Sequence, residues 1–325
     1  MARDLIADLI DLGGAGIAVV DLDVGRGEPS GPGMVRVGVH RMGPVPGGGL
    51  DDFDILLSAD PAAPGPWVGV APERLNLIIA DLREAVARQP AAAAAAAQVL
   101  RMTLAVSFDQ ALTLESLAYS MLLASGGFRA WRAKTPAKRR ANDDGPRVAL
   151  DETGSGLSIR LTRPDARNAF DARMRDELAE ALAFALDHPD RPPVILTGQG
   201  TAFSAGGDLA EFGTAADPGA AHLIRTLRSP ARLARQLGVR LTVAVHGACV
   251  GAGIEVPAGA ARVTARPGAV FRLPEVSMGL IPGAGGTATI PRRIGRRRAC
   301  YMAISGADID LMTALAWGLV DAVEA

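Results

Sequence analysis

An α/β fold in two parts is what the sequence predicts, and three observations predict it. Beyond Gly156, strand-like and amphipathic helix-like segments alternate, the pattern that packs crossover helices against a sheet. Before it, short β-branched runs give way to segments with helical periodicity. Between the two lies 132–147, basic, almost free of large apolar residues and closing on turn formers, which reads as a solvated linker. The expected division is an N-terminal extension over 1–131, the linker 132–147 and a main domain over 148–325.

In the extension, Ile17–Asp21, Val35–His40 and Phe53–Ser58 are expected as strands between Gly- and Pro-rich loops. Pro72–Arg88 is expected to be helical. The alanine run 91–97 follows Pro90 and continues into Val99-Leu100-Arg101-Met102, so it opens a second helix. Thr113–Trp131 carries Leu114, Leu117, Ala118, Met121 and Leu122 at helical spacing. It is expected as one helix whose apolar stripe packs on the main domain, since such a stripe is costly in water. The main domain should run strand, helix (171–187), strand (Val194–Thr197), a further helix, then strand Leu241–Val245. Arg-Gln-Pro (88–90) and Asp-His-Pro (187–189) each close an amphipathic helix, which reads as a decayed internal duplication. The cluster Arg292-Arg293 and Arg296-Arg297-Arg298 reads as a solvated helix face.

Composition narrows the function. Of 325 residues, 49% are apolar and 21% charged, as in a folded globular protein. A net charge of −1 and 4% aromatics supply neither the field nor the stacking platforms that nucleic acid needs. Two cysteines, Cys249 and Cys300, exclude a disulfide framework or thiolate metal cluster. Neither a signal-like apolar core after Met1 nor an apolar run of membrane-spanning length is present, so a cytoplasmic location away from membranes is expected.

The chemistry gathers in glycine-rich turns. His-Gly-Ala-Cys-Val-Gly-Ala-Gly-Ile-Glu (246–255) ends on Glu255, and Leu-Pro-Glu-Val-Ser-Met-Gly-Leu-Ile-Pro-Gly-Ala-Gly-Gly-Thr (273–287) carries Glu275. Two carboxylates set in such turns within apolar stretches point to an acid/base pair. The glycines let backbone N–H groups approach a ligand closely. Ala-Phe-Ser-Ala-Gly-Gly-Asp-Leu (202–209) offers a further N–H of that kind. Ser204 lacks a Gly-x-Ser-x-Gly elbow, and both Ser204 and His246 read as structural.

These three segments, with Arg-Leu-Thr-Arg-Pro-Asp-Ala-Arg-Asn-Ala-Phe (160–170) and Gly-Leu-Val-Asp (318–321), resemble the crotonase or enoyl-CoA hydratase/isomerase superfamily. The resemblance runs from about Gly156 onward. It implies a crotonase-like (ClpP/crotonase) spiral of β-β-α units carrying the N-terminal α/β extension. It also implies an enoyl-CoA hydratase in which Glu255 and Glu275 act as acid and base, and Gly207 and Ala252 offer the oxyanion N–H donors. Coenzyme A would meet Arg163, Arg167, Asn168, Ala169, Ala205, Asp208 and Leu209, the arginines suiting its phosphates. The acyl-CoA thioester is then the substrate, with no metal or further cofactor, in a homo-oligomer (trimer or hexamer).

Departures from the family pattern bear on these expectations. Pro257 should end or bend the helix carrying Glu255, and Ala260-Ala261 replace a usual acidic anchor. Family members continue past Gly-Leu-Val-Asp with helices that cover the acyl site, whereas this chain stops at Ala325, so the extension is expected to cover it instead. Alternatives are an enoyl-CoA isomerase working with one acid and a non-catalytic acyl-CoA-binding subunit. A third is the cofactor-free 3,5-dihydroxyphenylacetyl-CoA dioxygenase branch, which the Val-Gly-Ala-Gly-Ile-Glu and Pro-Arg-Arg-Ile-Gly stretches also resemble.

Overall fold

Three sheets organise residues 16–27, 31, 33–136 and 145–324, which the computed structural model describes. The first consists of β1 (Ile17–Asp21), β2 (Val35–His40), β3 (Ile55–Ser58) and β4 (Val68–Gly69), neighbours in chain order and all parallel. Every residue of β2 and β3 is buried, as parallel strands covered on both faces require. Strand β3 starts two residues later than expected. Asp54 instead turns its carboxylate inward, accepting from Arg36 N at 2.8 Å and Arg101 Nε at 2.8 Å.

Four helices follow: α1 (Pro72–Arg88), α2 (Pro90–Met102), α3 (Phe108–Leu123) and α4 (Gly126–Lys134). The single helix expected over Thr113–Trp131 is therefore two. Ser107 and Gln110 form a capping box that starts α3 early, and Ser125 caps α4, accepting from Phe128 N. The buried face of α3 also differs from the expected stripe. Leu117 and Met121 are exposed, while Ala111, Leu112, Glu115, Ser116 and Leu122 point inward.

The second sheet pairs β5 (Val148–Thr153) antiparallel with β6 (Gly156–Leu161). It then runs parallel through β7 (Val194–Gly198), β8 (Leu241–Val245), β10 (Arg262–Ala265) and β13 (Ala322–Val323). Helix α5 (Ala172–Asp187) links β6 to β7, and α6 (Pro218–Leu227) and α7 (Pro230–Leu237) link β7 to β8. A third, smaller sheet holds β9 (Ala248–Val250), β11 (Val270–Arg272) and β12 (Ile309–Asp310). Helices α8 (Ala252–Glu255), α9 (Gly286–Ile294), α10 (Arg296–Ser305) and α11 (Leu311–Trp317) complete the chain. Helix α8 is a single turn, and the chain tightens into a 3₁₀ turn at Pro257–Gly259, as a proline there dictates. Among the described residues no helix is long and apolar enough to cross a membrane.

The two halves do not repeat one another. Strands β1 to β4 succeed each other with no helix between them among the described residues, whereas α5 separates β6 from β7. The expected duplication is absent from the strand order.

The extension is built onto the main domain. Helices α1 and α2 and strand β3 pack on α10, and α3 packs between α6 and α9. The arginine cluster is the polar seam rather than a solvated face. Arg297 donates to Leu50 O (2.6 Å) and Phe53 O (3.2 Å), Arg298 to Trp67 O (2.9 Å), and Arg292 to Thr103 O (3.0 Å) and Val106 O (3.2 Å). Guanidinium forks satisfy loop carbonyls that burial would otherwise orphan. The linker expectation is corrected at both ends. Arg132 donates to Leu209 O at 2.7 Å, and Arg147 is buried against Asp171 at 3.0 Å. Residues 137–144 lie outside the described residues.

This seam yields a prediction. Deleting residues 1–140 exposes the apolar faces of α9 and α10 and should give aggregated protein with no cooperative thermal transition. A soluble truncation with intact cooperative unfolding would show the halves to be independent.

Candidate active site

The site is assembled by short elements at one end of the second and third sheets. Gly251 adopts φ 49°, and the turn it makes starts α8 at Ala252. A side chain there is excluded twice over. That backbone disfavours one, and a Cβ would lie 2.4 Å from Glu275 Oε1 and 3.7 Å from Glu255 Oε1. The two carboxylates, carried on separate elements, thus converge on one glycine.

Glu255, at the end of α8, is buried, and its Oε2 accepts from Ala284 N at 2.7 Å and Gly286 N at 2.8 Å. Glu275 is buried too, and its Oε2 has no hydrogen-bond partner among the described residues. Burial raises both carboxyls above the usual range, Glu255 to about 7. For Glu275 the charge of Glu255 adds to burial, whereas the backbone N–H groups on Glu255 oppose it there. The proton therefore belongs on Glu275 and the charge on Glu255, from the hydrogen bonds alone.

A cavity of about 480 Å³ opens beside them, lined among others by Glu255, Glu275, Gly207, Ala252, Phe212 and Ile224. Ala252 begins α8, so its N–H has no acceptor within that helix. At Gly207 the backbone pairing passes by on either side: Phe170 N donates to Gly206 O, and Asp208 N to Phe170 O, each at 2.8 Å. All four residues expected to carry the chemistry reach this one cavity.

The loop expected to meet coenzyme A is more internal than the sequence implied. Arg163 is buried, donating to Asp208 at 2.9 Å, and lies 3.1 Å from Asp171. Asn168 is fully buried, accepting from Arg163 N and donating to Gln199 O and Ala202 O. These side chains and Asp208 hold the 202–209 turn in place rather than presenting polar groups outward. Arg167 and Leu209 are exposed, and Ala205 donates its N–H to Arg167 O at 2.8 Å. Ala169 is buried, its carbonyl accepting from Arg163. Of the set, only Asp208 lines the cavity. Ser204 donates to Asn168 O at 2.8 Å and His246 contacts Gly200 O at 2.9 Å, both structural roles.

Sequence reasoning missed Glu115. From α3 it lines the same cavity and accepts from Gly285 N, Thr287 N and Thr287 Oγ1, each at 2.7 Å. Burial, then the charge of Glu255, raises it to about 8 against those donors. One signal was available: an acid inside an inward face of Ala111, Leu112 and Ser116, fixed in register by the Ser107–Gln110 capping box. Tyr119 follows one turn on and would meet a Cβ at Gly283 within 2.5 Å.

The family model described as Enoyl-CoA hydratase/isomerase matches residues 152–325. The chain belongs to the enoyl-CoA hydratase/isomerase family. Its main domain accordingly has the crotonase fold. Among curated relatives, 2,3-dehydroadipyl-CoA hydratase of Escherichia coli is 35% identical over 169 residues, 51% of this chain and 65% of its own length. Mevalonyl-coenzyme A hydratase of Beauveria bassiana is 34% identical over 173 residues, 51% of this chain and 62% of its own. The chain thus spans less than two thirds of the length of these relatives. An enoyl-CoA hydratase structure from Thermoplasma volcanium superposes with TM-score 0.50 at 32% identity, covering 55% of this chain and 72% of that one. A hydratase/isomerase structure from Mycobacterium abscessus gives 0.51 at 36% identity, covering 54% and 70%.

Glu115→Ala leaves two buried backbone donors and a hydroxyl unpaired. At about 1–3 kcal/mol for each buried unsatisfied group, urea unfolding should show a loss of at least about 3 kcal/mol. The pH dependence has a definite sign. A carboxyl whose pKa is raised from 4.5 to about 8 by folding contributes stability below 4.5 that is lost as pH rises toward 8. Glu115→Gln removes that ionisation, so its stability relative to the parent should rise steadily from pH 5 to pH 8. A pH-independent difference would show that Glu115 is ionised throughout.

Proposed function

We propose that the chain acts on an acyl-CoA thioester and hydrates a 2-enoyl-CoA. The observation that carries this reading is the pair Glu255 and Glu275, converging on Gly251 in unlike environments. One carboxylate accepts two N–H donors that favour its charged form, and the other, close by, has an unpartnered oxygen.

In this reading Glu255 takes a proton from water, and the hydroxide adds to the β-carbon of the enoyl group. Electron density moves onto the thioester oxygen, which the N–H groups of Gly207 and Ala252 hold, each worth roughly 3–4 kcal/mol in the transition state. Glu275 then gives its proton to the α-carbon, and the two acids exchange protons through product and solvent to restart the cycle. The apolar cavity wall, including Phe212 and Ile224, takes the acyl chain and excludes competing water. Coenzyme A thioester is the substrate and no other cofactor enters a step. Hydratase names among the relatives support hydration over double-bond migration, for which a single acid would serve.

Loss of the conjugated enoyl-thioester absorbance is the test. Glu255→Gln and Glu275→Gln should each slow turnover by about 10²–10⁴-fold. The rate should rise with pH through about 7 as Glu255 ionises and fall at higher pH as Glu275 does. Full activity in the Glu255 variant would point to one-acid isomerisation instead. Oxygen uptake on an arylacetyl-CoA without hydration would point to the dioxygenase branch.

A further inference from the structure

Arg225, on α6, lies in the wall of the candidate acyl cavity. Its guanidinium is fixed on the face of α3. Nε donates to Ser116 Oγ at 3.1 Å, and Nη2 donates to Ser116 O at 3.4 Å and to Ser120 Oγ. The plane sits 4.9 Å over the Tyr119 ring.

Three arginines line this cavity: Arg175, Arg225 and Arg228. Arg175 is 2.8 Å from Asp176, and Arg228 is 3.4 Å from Glu180. Among the described residues Arg225 has no carboxylate within ion-pair distance, and its Nη1 has no hydrogen-bond partner. Glu115, the acid whose charge bears on it, is already satisfied by three donors of α9. Burial lowers the pKa of Arg225, because it disfavours the charged form.

A half-buried guanidinium whose every other N–H is anchored is preorganised for one anion at Nη1. Tyr119 touches both the arginine and the Gly283 turn that precedes the donors to Glu255, so Arg225 shares the wall of one cavity with the acids. Resting on the acyl-CoA reading above, we propose that Arg225 binds a carboxylate at the distal end of the acyl chain, making the preferred substrate an ω-carboxy-2-enoyl-CoA. The coenzyme A phosphates are the other anions that could reach it, and the two sources separate experimentally.

The measurement is kcat/KM of the full chain for a carboxylate-ended 2-enoyl-CoA and for its equal-length carboxamide. It is made on the parent, Arg225→Met and Arg225→Lys. The parent should prefer the carboxylate. Arg225→Met should lose at least about tenfold more on the carboxylate than on the amide, the range of one charged hydrogen-bond pair. Arg225→Lys should recover part of that difference. Equal losses on both thioesters assign Arg225 to the coenzyme A phosphates and overturn the proposal, as does a parent without preference. If the parent hydrates neither, calorimetric binding of the saturated carboxylate-ended and amide-ended thioesters replaces turnover. A carboxylate preference reduced in Arg225→Met would then uphold the anion site while the hydratase reading fails. Equal binding of the two would overturn the site itself.

Discussion

Four consecutive backbone N–H groups, Ala284 to Thr287, hold the active region together. They point alternately at two carboxylates: Ala284 and Gly286 at Glu255, Gly285 and Thr287 at Glu115. Three of them, Gly285 to Thr287, are donors a helix leaves unpaired at its start, here the start of α9, and Ala284 directly precedes its cap. One acid comes from the family domain and the other from the extension. The strand–turn carrying Glu255, the loop 283–287 and helix α3 are therefore fixed by one set of bonds. The Thr289 hydroxyl adds a further tie, donating to Glu255 O at 2.7 Å.

That arrangement sets the electrostatics of the site. Three carboxyls, Glu115, Glu255 and Glu275, are buried together, and burial raises all three. Buried like charges cannot all ionise near neutrality without a large penalty, so protons stay in the cluster. The N–H donors decide where. Within the proposed catalytic pair Glu255 Oε2 has two and Glu275 Oε2 has none, so the proton is more stable on Glu275, while burial holds a further proton on Glu115 up to about pH 8. A protonated acid beside an ionised one is the division of labour that the hydration proposed above calls for.

Much of this was legible in the sequence, for identifiable reasons. Glu255 and Glu275 stood out in the sequence because each is an acid in a glycine-rich turn within an apolar stretch, and Gly207 and Ala252 followed from the family resemblance. Strands Ile17–Asp21 and Val35–His40 and helix Pro72–Arg88 match their patterns because side-chain period and proline position dominate there. The failures share a cause. Arg163, Asn168, Arg147 and Arg292 to Arg298 look like solvated polar residues, yet each is consumed by partners distant in the chain. Single-sequence patterns report local periodicity and say nothing of which remote carbonyl a guanidinium will satisfy. Glu115 was hidden the same way, since its three donors lie about the length of a domain away.

That separation has a consequence for how the site comes into being. Glu115 and Thr287 are 172 residues apart, and Arg297 reaches Leu50 across 247. Closing loops of this length costs entropy that the contacts must repay. Until they form, Glu255 lacks the rigid loop that orders its donors, and the cavity lacks the α3 wall bearing Tyr119 and Glu115. Glu255, Glu275 and Gly251 all lie within one stretch of the main domain. That domain cannot by itself supply the wall that shields them from water. Burial is what raises the acids, so their acid–base character depends on the extension even though the extension contributes neither acid of the pair.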